Sequence, residues 1–129
     1  MKLLLVEENS AVSRVIRYLM TSPETWIREC VDSANATAAY AASRPDFVVI
    51  DVGTKDLDGL AVSKQIKAMD SAAKIVIISD YDDAKLRESA QDAGACGYLL
   101  KDNLIELPGL LKRFFRDGTE NGVNSEVGL

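Results

Sequence analysis

The sequence contains no histidine, and its two cysteines, Cys30 and Cys96, lie far apart in the chain. Without histidine the chain can use neither histidine-based catalysis nor histidine metal ligands. The cysteines form no Cys-x-x-Cys spacing, so they do not resemble a metal or redox motif. Isolated cysteines of this kind are typical of reduced, partly buried packing residues in a cytoplasmic protein, and we expect that role for both.

Long apolar runs and excess positive charge are also missing. No apolar run approaches the roughly 20 residues of a membrane-spanning helix. The apolar run between Met1-Lys2 and Glu7 is too short for a secretory signal, so we do not expect one there. The formal net charge of −5 argues against direct binding of nucleic-acid phosphates. A chain of 129 residues, 47% hydrophobic and 27% charged, predicts one soluble cytoplasmic domain with its own core.

Aliphatic runs and amphipathic stretches alternate about five times along the chain. Strands are predicted at 2–6, 26–31, 46–50, 74–78 and 97–100, and helices at about 10–20, 33–42, 60–69, 82–93 and 108–116. The first, third and fourth strands are almost wholly aliphatic, which is typical of parallel strands covered on both faces. The second strand is mixed and is predicted to lie at an edge. The pattern therefore indicates an α/β, doubly wound sheet.

Local signals fix the expected helix ends and apolar faces. Ser10 and Ser33 are predicted N-caps, and Gly94 is predicted to follow the fourth helix. Apolar faces are predicted for the first, third and last helices at Val12, Val15, Ile16 and Leu19; at Val62, Ile66 and Met69; and at Leu110, Leu111, Phe114 and Phe115. The folded domain is expected over 1–117, with 118–129 as a flexible polar tail.

Polar residues follow four of the core strands. They are the pair Glu7-Glu8, then Asp51, Ser79 and Lys101. Any one of them alone is most simply a solvated turn residue. The carboxyl ends of parallel strands share one edge of the sheet, and ligands bind there. Acids, a hydroxyl and an ammonium at one edge therefore indicate a site for a metal and a phosphoryl group.

Each residue type suits one part of phosphoryl chemistry. A carboxylate such as Asp51 can act as the nucleophile and form an acyl phosphate. Glu7 and Glu8 offer the oxygen ligands that Mg²⁺ prefers. Lys101 can neutralise phosphoryl oxygens, and Ser79 can donate a hydrogen bond to one of them.

On these motifs the chain, over residues 2 to about 116, resembles the receiver domain of two-component response regulators. The acidic pair and the loop after the acceptor carry part of the resemblance, and the hydroxyl, the aromatic and the lysine carry the rest. The matching segments are Val6-Glu7-Glu8-Asn9, Val49-Ile50-Asp51-Val52, Asp56-Leu57-Asp58-Gly59-Leu60, Ile77-Ile78-Ser79-Asp80-Tyr81 and Gly97-Tyr98-Leu99-Leu100-Lys101.

The resemblance implies a flavodoxin-like fold with five parallel strands in the order 2-1-3-4-5. It implies that Asp51 accepts a phosphoryl group from a sensor histidine kinase or a phosphotransfer protein, with Mg²⁺ held by Glu7, Glu8, Asp51 and the backbone carbonyl of Gly53. Ser79 and Tyr98 would be the switch residues. They would remodel the surface of helix four, strand five and helix five for a downstream protein target. The domain would be no enzyme beyond self-phosphorylation and autodephosphorylation.

Three positions depart from the family pattern. Glu8 stands where Asp is typical, Thr54-Lys55 replaces Met-Pro, and Asp102 stands where Pro often follows the lysine. The longer side chain of Glu8 can reach into the metal position, and Mg²⁺ tolerates poor geometry badly. These departures keep open a degenerate receiver that binds a protein without being phosphorylated. Separately from these departures, a simpler interpretation of Tyr98 stays open, as an edge aromatic that packs on the last helix.

An enzyme is the third alternative. The segment Asp51-Val52-Gly53-Thr54 faintly resembles the Asp-x-Asp-x-Thr motif of haloacid dehalogenase-type phosphatases. Gly53 replaces the second Asp, and the segment falls on the third predicted strand where that motif requires the first. The sequence therefore favours the receiver.

Overall fold

The computed structural model describes residues 1–52 and 58–117, which form strands and helices in alternation. The strands are β1 (Lys2–Val6), β2 (Trp26–Cys30), β3 (Phe47–Asp51), β4 (Ile75–Ser79) and β5 (Gly97–Leu100). The helices are α1 (Ser10–Leu19), α2 (Ala36–Ser43), α3 (Asp58–Met69), α4 (Ala84–Asp92) and α5 (Leu107–Asp117). The 3₁₀ segments Ser33–Asn35 and Lys101–Glu106 precede α2 and α5. Residues 53–57, predicted as a loop, and residues 118–129, predicted as a tail, lie outside the described residues.

The five strands form one parallel sheet in the order β2-β1-β3-β4-β5. Its ladders pair β1 with β2 and β3, and β4 with β3 and β5. This confirms the predicted flavodoxin-like, doubly wound fold with the order 2-1-3-4-5. β2 lies at an edge as predicted, and its residues Arg28 and Glu29 are exposed.

Two apolar clusters lie on opposite faces of the sheet, because successive strand residues point to opposite sides. On one face Leu4 and Ile50 pack with residues of α2, α3 and α4. On the other face Leu5 packs with residues of α1 and α5. Cys30 and Cys96 are buried, one in each cluster, as expected for packing residues. Burial raises the pKa of the Cys96 thiol, which keeps it protonated and weakly reactive.

Two helix caps differ from the prediction by one residue. The side chain of Asn9, not Ser10, accepts the first backbone N–H groups of α1. The side chain of Asp32, not Ser33, caps the 3₁₀ segment before α2. Asn and Asp cap helices as well as Ser does. When two such residues are adjacent, the residue types alone therefore do not show which of them is the cap.

The end of α4 is as predicted. Gly94 has a φ of +92°, a left-handed conformation that glycine adopts at little cost. The N–H of Gly94 bonds to the carbonyl of Gln91, and the N–H of Ala95 bonds to that of Ala90. This pair of bonds is a Schellman motif, and it turns the chain towards β5.

Three residues predicted on apolar helix faces are about half exposed. Val15 is 45% exposed, Met69 46% and Phe115 51%. Successive residues of a helix are turned by about 100° around the helix axis. The three exposed residues therefore lie at the margins of the apolar stripes. These stripes are centred near Ile16 in α1, near Ile66 in α3, and near buried Leu110 and Phe114 in α5. The prediction of these helices was correct, but their apolar faces are narrower than predicted.

Element boundaries shift by a residue or two. β3 and β4 each end one residue later than predicted, so Asp51 and Ser79 are the last residues of their strands. β2 ends at Cys30, one residue early. α4 begins at Ala84 because the side chain of Asp83 caps it. Among the described residues, no helix is both long and apolar enough to cross a membrane.

Candidate functional site

Asp51 and Lys101 meet at the carboxyl edge of the sheet. Asp51 ends β3 and Lys101 follows β5, with β4 between them. The Nζ of Lys101 lies 2.7 Å from Oδ1 of Asp51. The two side chains are 14% and 22% exposed, so the pair is sheltered but can be reached by a small phosphoryl donor.

The lysine is held in its charged form. Burial alone would lower the pKa of Lys101, but the hydrogen bond and charge of Asp51, with the charges of Glu7 and Asp80, outweigh burial and the net shift is upward. Lys101 is therefore a fixed positive charge at neutral pH. Such a charge beside a carboxylate can neutralise the oxygens of an incoming phosphoryl group.

Glu7 is a buried acid next to Asp51. It is 2% exposed, and its Oε1 accepts the backbone N–H of Asn9 at 3.0 Å. Its Oε2 is buried and has no hydrogen-bond partner among the described residues. Burial first, and then the charge of Asp51, raise the pKa of Glu7 from 4.5 to about 7. At neutral pH this carboxyl is therefore only partly ionised, and a cation beside it would favour its charged form.

A small pocket beside Asp51 holds both acids that follow β1. It is lined by Val6, Glu7, Glu8, Val31, Ser33, Asp51 and Gly59. Glu8 is exposed, and within the described residues no three Asp, Glu, Cys or His side chains are arranged to hold a metal ion.

Glu7 and Asp51 nevertheless fit Mg²⁺, because Glu7 has a buried oxygen without a hydrogen-bond partner and its carboxyl interacts with that of Asp51. Mg²⁺ usually binds one or two carboxylates and keeps several waters. Gly53, the other predicted ligand, lies outside the described residues.

Ser79 and Tyr98 are both buried, at 0% and 1% exposure. The Oγ of Ser79 accepts the backbone N–H of Tyr81 at 3.1 Å, and the hydroxyl of Tyr98 donates to the backbone carbonyl of Tyr81 at 2.7 Å. Tyr98 is thus in an inward position. It belongs to the cluster covered by α2, α3 and α4, so the alternative that it packs on the last helix, α5, is wrong.

Two charged residues at this edge were not predicted from the sequence. The guanidinium of Arg87 lies 4.5 Å from the ring centroid of Tyr98. The Oδ2 of Asp80 lies 3.7 Å from the Nζ of Lys101. Asp80 immediately follows a strand, which is a usable sequence signal. The contact of Arg87 depends on how α4 is rotated over the sheet, and no sequence pattern reveals that.

Gly59 allows α3 to begin directly against the end of β3. A Cβ at Gly59 would lie 2.6 Å from Cγ2 of Val52, 2.9 Å from Cγ2 of Ile50 and 3.0 Å from the backbone oxygen of Asp51. Gly59→Ala is therefore expected to lower the free energy of unfolding by about 1–3 kcal/mol. It should also slow any reaction at Asp51, because α3 has to move away from that residue. Urea unfolding measures the first effect.

Gly109→Ala is the matched control. Gly109 lies in α5, and a Cβ there meets nothing within 4 Å. Alanine at this position should raise stability by up to about 0.5–1 kcal/mol, because glycine is a poor helix residue. If Gly59→Ala proved as stable as the unchanged chain, the close approach of α3 to β3 would be wrong.

Known proteins resemble this chain in both sequence and structure. Residues 3–112 match the family described as the response regulator receiver domain. The response regulator MprA of Mycobacterium avium (strain 104) is 30% identical over 118 residues, which covers 88% of this chain and 52% of the relative. The chain thus spans about half the length of the curated relatives that it matches.

Solved structures agree in fold. A two-component response regulator of the LuxR family from Aurantimonas sp. SI85-9A1 gives a TM-score of 0.80 at 25% identity, covering 90% of this chain and 85% of that one. The Mn²⁺-bound form of response regulator Rcp1 gives 0.72 at 18% identity, covering 92% and 96%. The sheet order, the site at its carboxyl edge and the family match over residues 3–112 together show that this chain belongs to the response regulator receiver domain family of two-component signalling.

Proposed function

We propose that this receiver accepts a phosphoryl group on Asp51 from the histidine of a sensor kinase or a phosphotransfer protein. The observation that carries the proposal is the 2.7 Å contact between Asp51 and Lys101, beside the buried carboxyl of Glu7. A partly exposed nucleophile, a fixed cation and a second acid are what phosphoryl transfer to a carboxylate requires.

In the proposed reaction a carboxylate oxygen of Asp51 attacks phosphorus. The bond from phosphorus to the donor imidazole nitrogen breaks, its electron pair stays on nitrogen, and an acyl phosphate forms on Asp51. Lys101, which pairs with the Asp51 carboxylate before the reaction, would neutralise the phosphoryl oxygens after it. Glu7 and Asp51 would hold a divalent cation, whose role is to neutralise phosphoryl oxygens.

The readout is proposed to pass through the backbone of Tyr81. Ser79 and Tyr98 both bond to Tyr81, one to its N–H and the other to its carbonyl. A Ser79 hydroxyl drawn towards a phosphoryl oxygen would disturb the first bond and thereby the second. The surface formed by α4, β5 and α5 would then change, and a downstream protein target would read that change.

Intact-mass measurement tests the proposal. After incubation with acetyl phosphate and Mg²⁺, the mass should rise by about one phosphoryl group per chain, because one carboxylate is activated. EDTA should suppress the increase. If no phosphoryl group is incorporated from acetyl phosphate or from a kinase, the receiver acts by the other route expected from the sequence, as a protein-binding module independent of phosphorylation.

Glu8→Asp is expected to strengthen Mg²⁺ binding. Glu8 lines the pocket but is exposed, and its extra methylene is poorly matched to an ion held by Glu7 and Asp51. Roughly threefold to tenfold tighter binding is expected, corresponding to about 0.7–1.4 kcal/mol. Mg²⁺ titration at constant ionic strength measures the change, with Glu88→Asp on α4 as the control. Weaker binding by Glu8→Asp would show that the pocket is fitted to glutamate.

A further inference from the structure

Asp80 shares the ammonium of Lys101 with Asp51. Its Oδ2 lies 3.7 Å from the Nζ that contacts Oδ1 of Asp51 at 2.7 Å. Asp80 directly follows β4, the strand between those that carry the other two residues. Its side chain is 64% exposed, whereas those of Lys101 and Asp51 are 14% and 22% exposed. Asp80 therefore lies on the solvent side of the ion pair, where a donor approaches.

The local charge disfavours an incoming anion. Although burial opposes the shift, the pKa of Lys101 is raised by Asp51, and then by the charges of Glu7 and Asp80. One ammonium thus interacts with three carboxyl groups. A phosphoryl donor brings roughly 1.5 to 2 negative charges to the site at neutral pH. Lys101 must then neutralise the phosphoryl oxygens while the exposed carboxylate of Asp80 remains beside them.

We infer that Asp80 is a positioning residue that slows phosphorylation of Asp51, because it draws the Lys101 ammonium outward and repels an anionic donor. This inference rests on the proposed function, since it concerns the rate of the same reaction. A solvated turn residue without this role would leave the rate unchanged. Folding stability should change little, because exposed ion pairs contribute little to it.

The expected size follows from Coulomb's law. One charge within about 4–8 Å of a doubly charged group, in largely solvated surroundings, changes a rate by about threefold to tenfold. Salt screens such an interaction when one partner is exposed, so the effect should shrink as the ionic strength rises.

The experiment compares initial rates of phosphoryl incorporation from acetyl phosphate with Mg²⁺, at low and high salt. Asp80→Asn removes the charge and keeps the shape, and Asp80→Glu keeps the charge. Asp92→Asn is the matched control. Asp92 is exposed at the end of α4, just before β5 begins, so it lies near the amino ends of the strands and away from the site at their carboxyl ends. At low salt Asp80→Asn should react about threefold to tenfold faster than the unchanged chain. Asp80→Glu should stay near the original rate, and the gap should narrow at high salt.

Each outcome is decisive. If the unchanged chain is labelled but Asp80→Asn reacts no faster than Asp92→Asn, the inference is wrong and the proposed function stands. A slower reaction of Asp80→Asn would mean that Asp80 assists transfer, which also overturns the inference. If acetyl phosphate labels none of the chains, the same comparison is made with a histidine kinase as the donor. If neither donor labels any chain, the proposed function fails and the inference fails with it. Equal melting temperatures of the variants would show that the rates do not report unfolding.

Discussion

Asp51→Asn is expected to abolish phosphoryl incorporation and to leave the domain folded. The carboxamide has nearly the same shape as the carboxylate, but it is not a nucleophile that can form an acyl phosphate. Asp51 is 22% exposed at the end of β3, so the substitution leaves both apolar clusters unchanged. With acetyl phosphate and Mg²⁺, intact mass should show a loss from about one phosphoryl group per chain to none.

Asp92→Asn is again the control for the loss of one negative charge. It should be labelled as fully as the unchanged chain, because Asp92 lies near the amino ends of the strands and Asp51 lies at a carboxyl end. Undiminished labelling of Asp51→Asn would place the acceptor elsewhere. It would remove the role proposed for Lys101 as well, since that lysine contacts Asp51.

The fold was predictable because its strands are buried on both faces. β3 and β4 read as almost continuous apolar runs, which are typical of parallel strands covered on both faces. The same runs place Asp51 and Ser79 at the carboxyl edge with an error of one residue. Strand order is different, because the order 2-1-3-4-5 was implied by the family resemblance and not by periodicity.

The details of the site depend on side-chain directions that the sequence does not encode locally. Glu7 and Glu8 are the same residue type in adjacent positions, yet one is buried and the other exposed. Sequence spacing assigned both to the metal equally. The contact of Arg87 with Tyr98 joins α4 to β5, and it exists because of the rotation of α4 about its own axis. Such contacts are set by tertiary packing and are visible only in the folded chain.

Glu7→Gln is expected to stabilise the domain above pH 7 when no divalent cation is present. Burial and the charge of Asp51 raise the pKa of Glu7 from 4.5 to about 7 in the folded state. Between these values the folded chain keeps a proton that the unfolded chain has lost, so stability falls as the pH rises through this window. The loss is absent below 4.5 and complete above about 7.

Glu7→Gln should raise the free energy of unfolding above pH 7 by about 3 kcal/mol, since each pKa unit corresponds to about 1.4 kcal/mol. Glutamine resembles the protonated acid, can still accept the N–H of Asn9, and does not repel Asp51. Urea unfolding of both chains at pH 5 and pH 8 in EDTA measures the difference. It should be small at pH 5 and large at pH 8. Glu88→Gln, at an exposed position on α4, should change stability little at either pH.

Added Mg²⁺ separates a buried acid without a binding role from one that serves a cation. At pH 8 the ion should stabilise the unchanged chain, because it neutralises Glu7 and Asp51 and binds only the folded state. Glu7→Gln should gain much less, because one of the two carboxylates is missing. Equal stabilisation of both chains by Mg²⁺ would place the ion away from Glu7. A stability of the unchanged chain that did not fall from pH 5 to pH 8 would show that its buried carboxyl has an ordinary pKa.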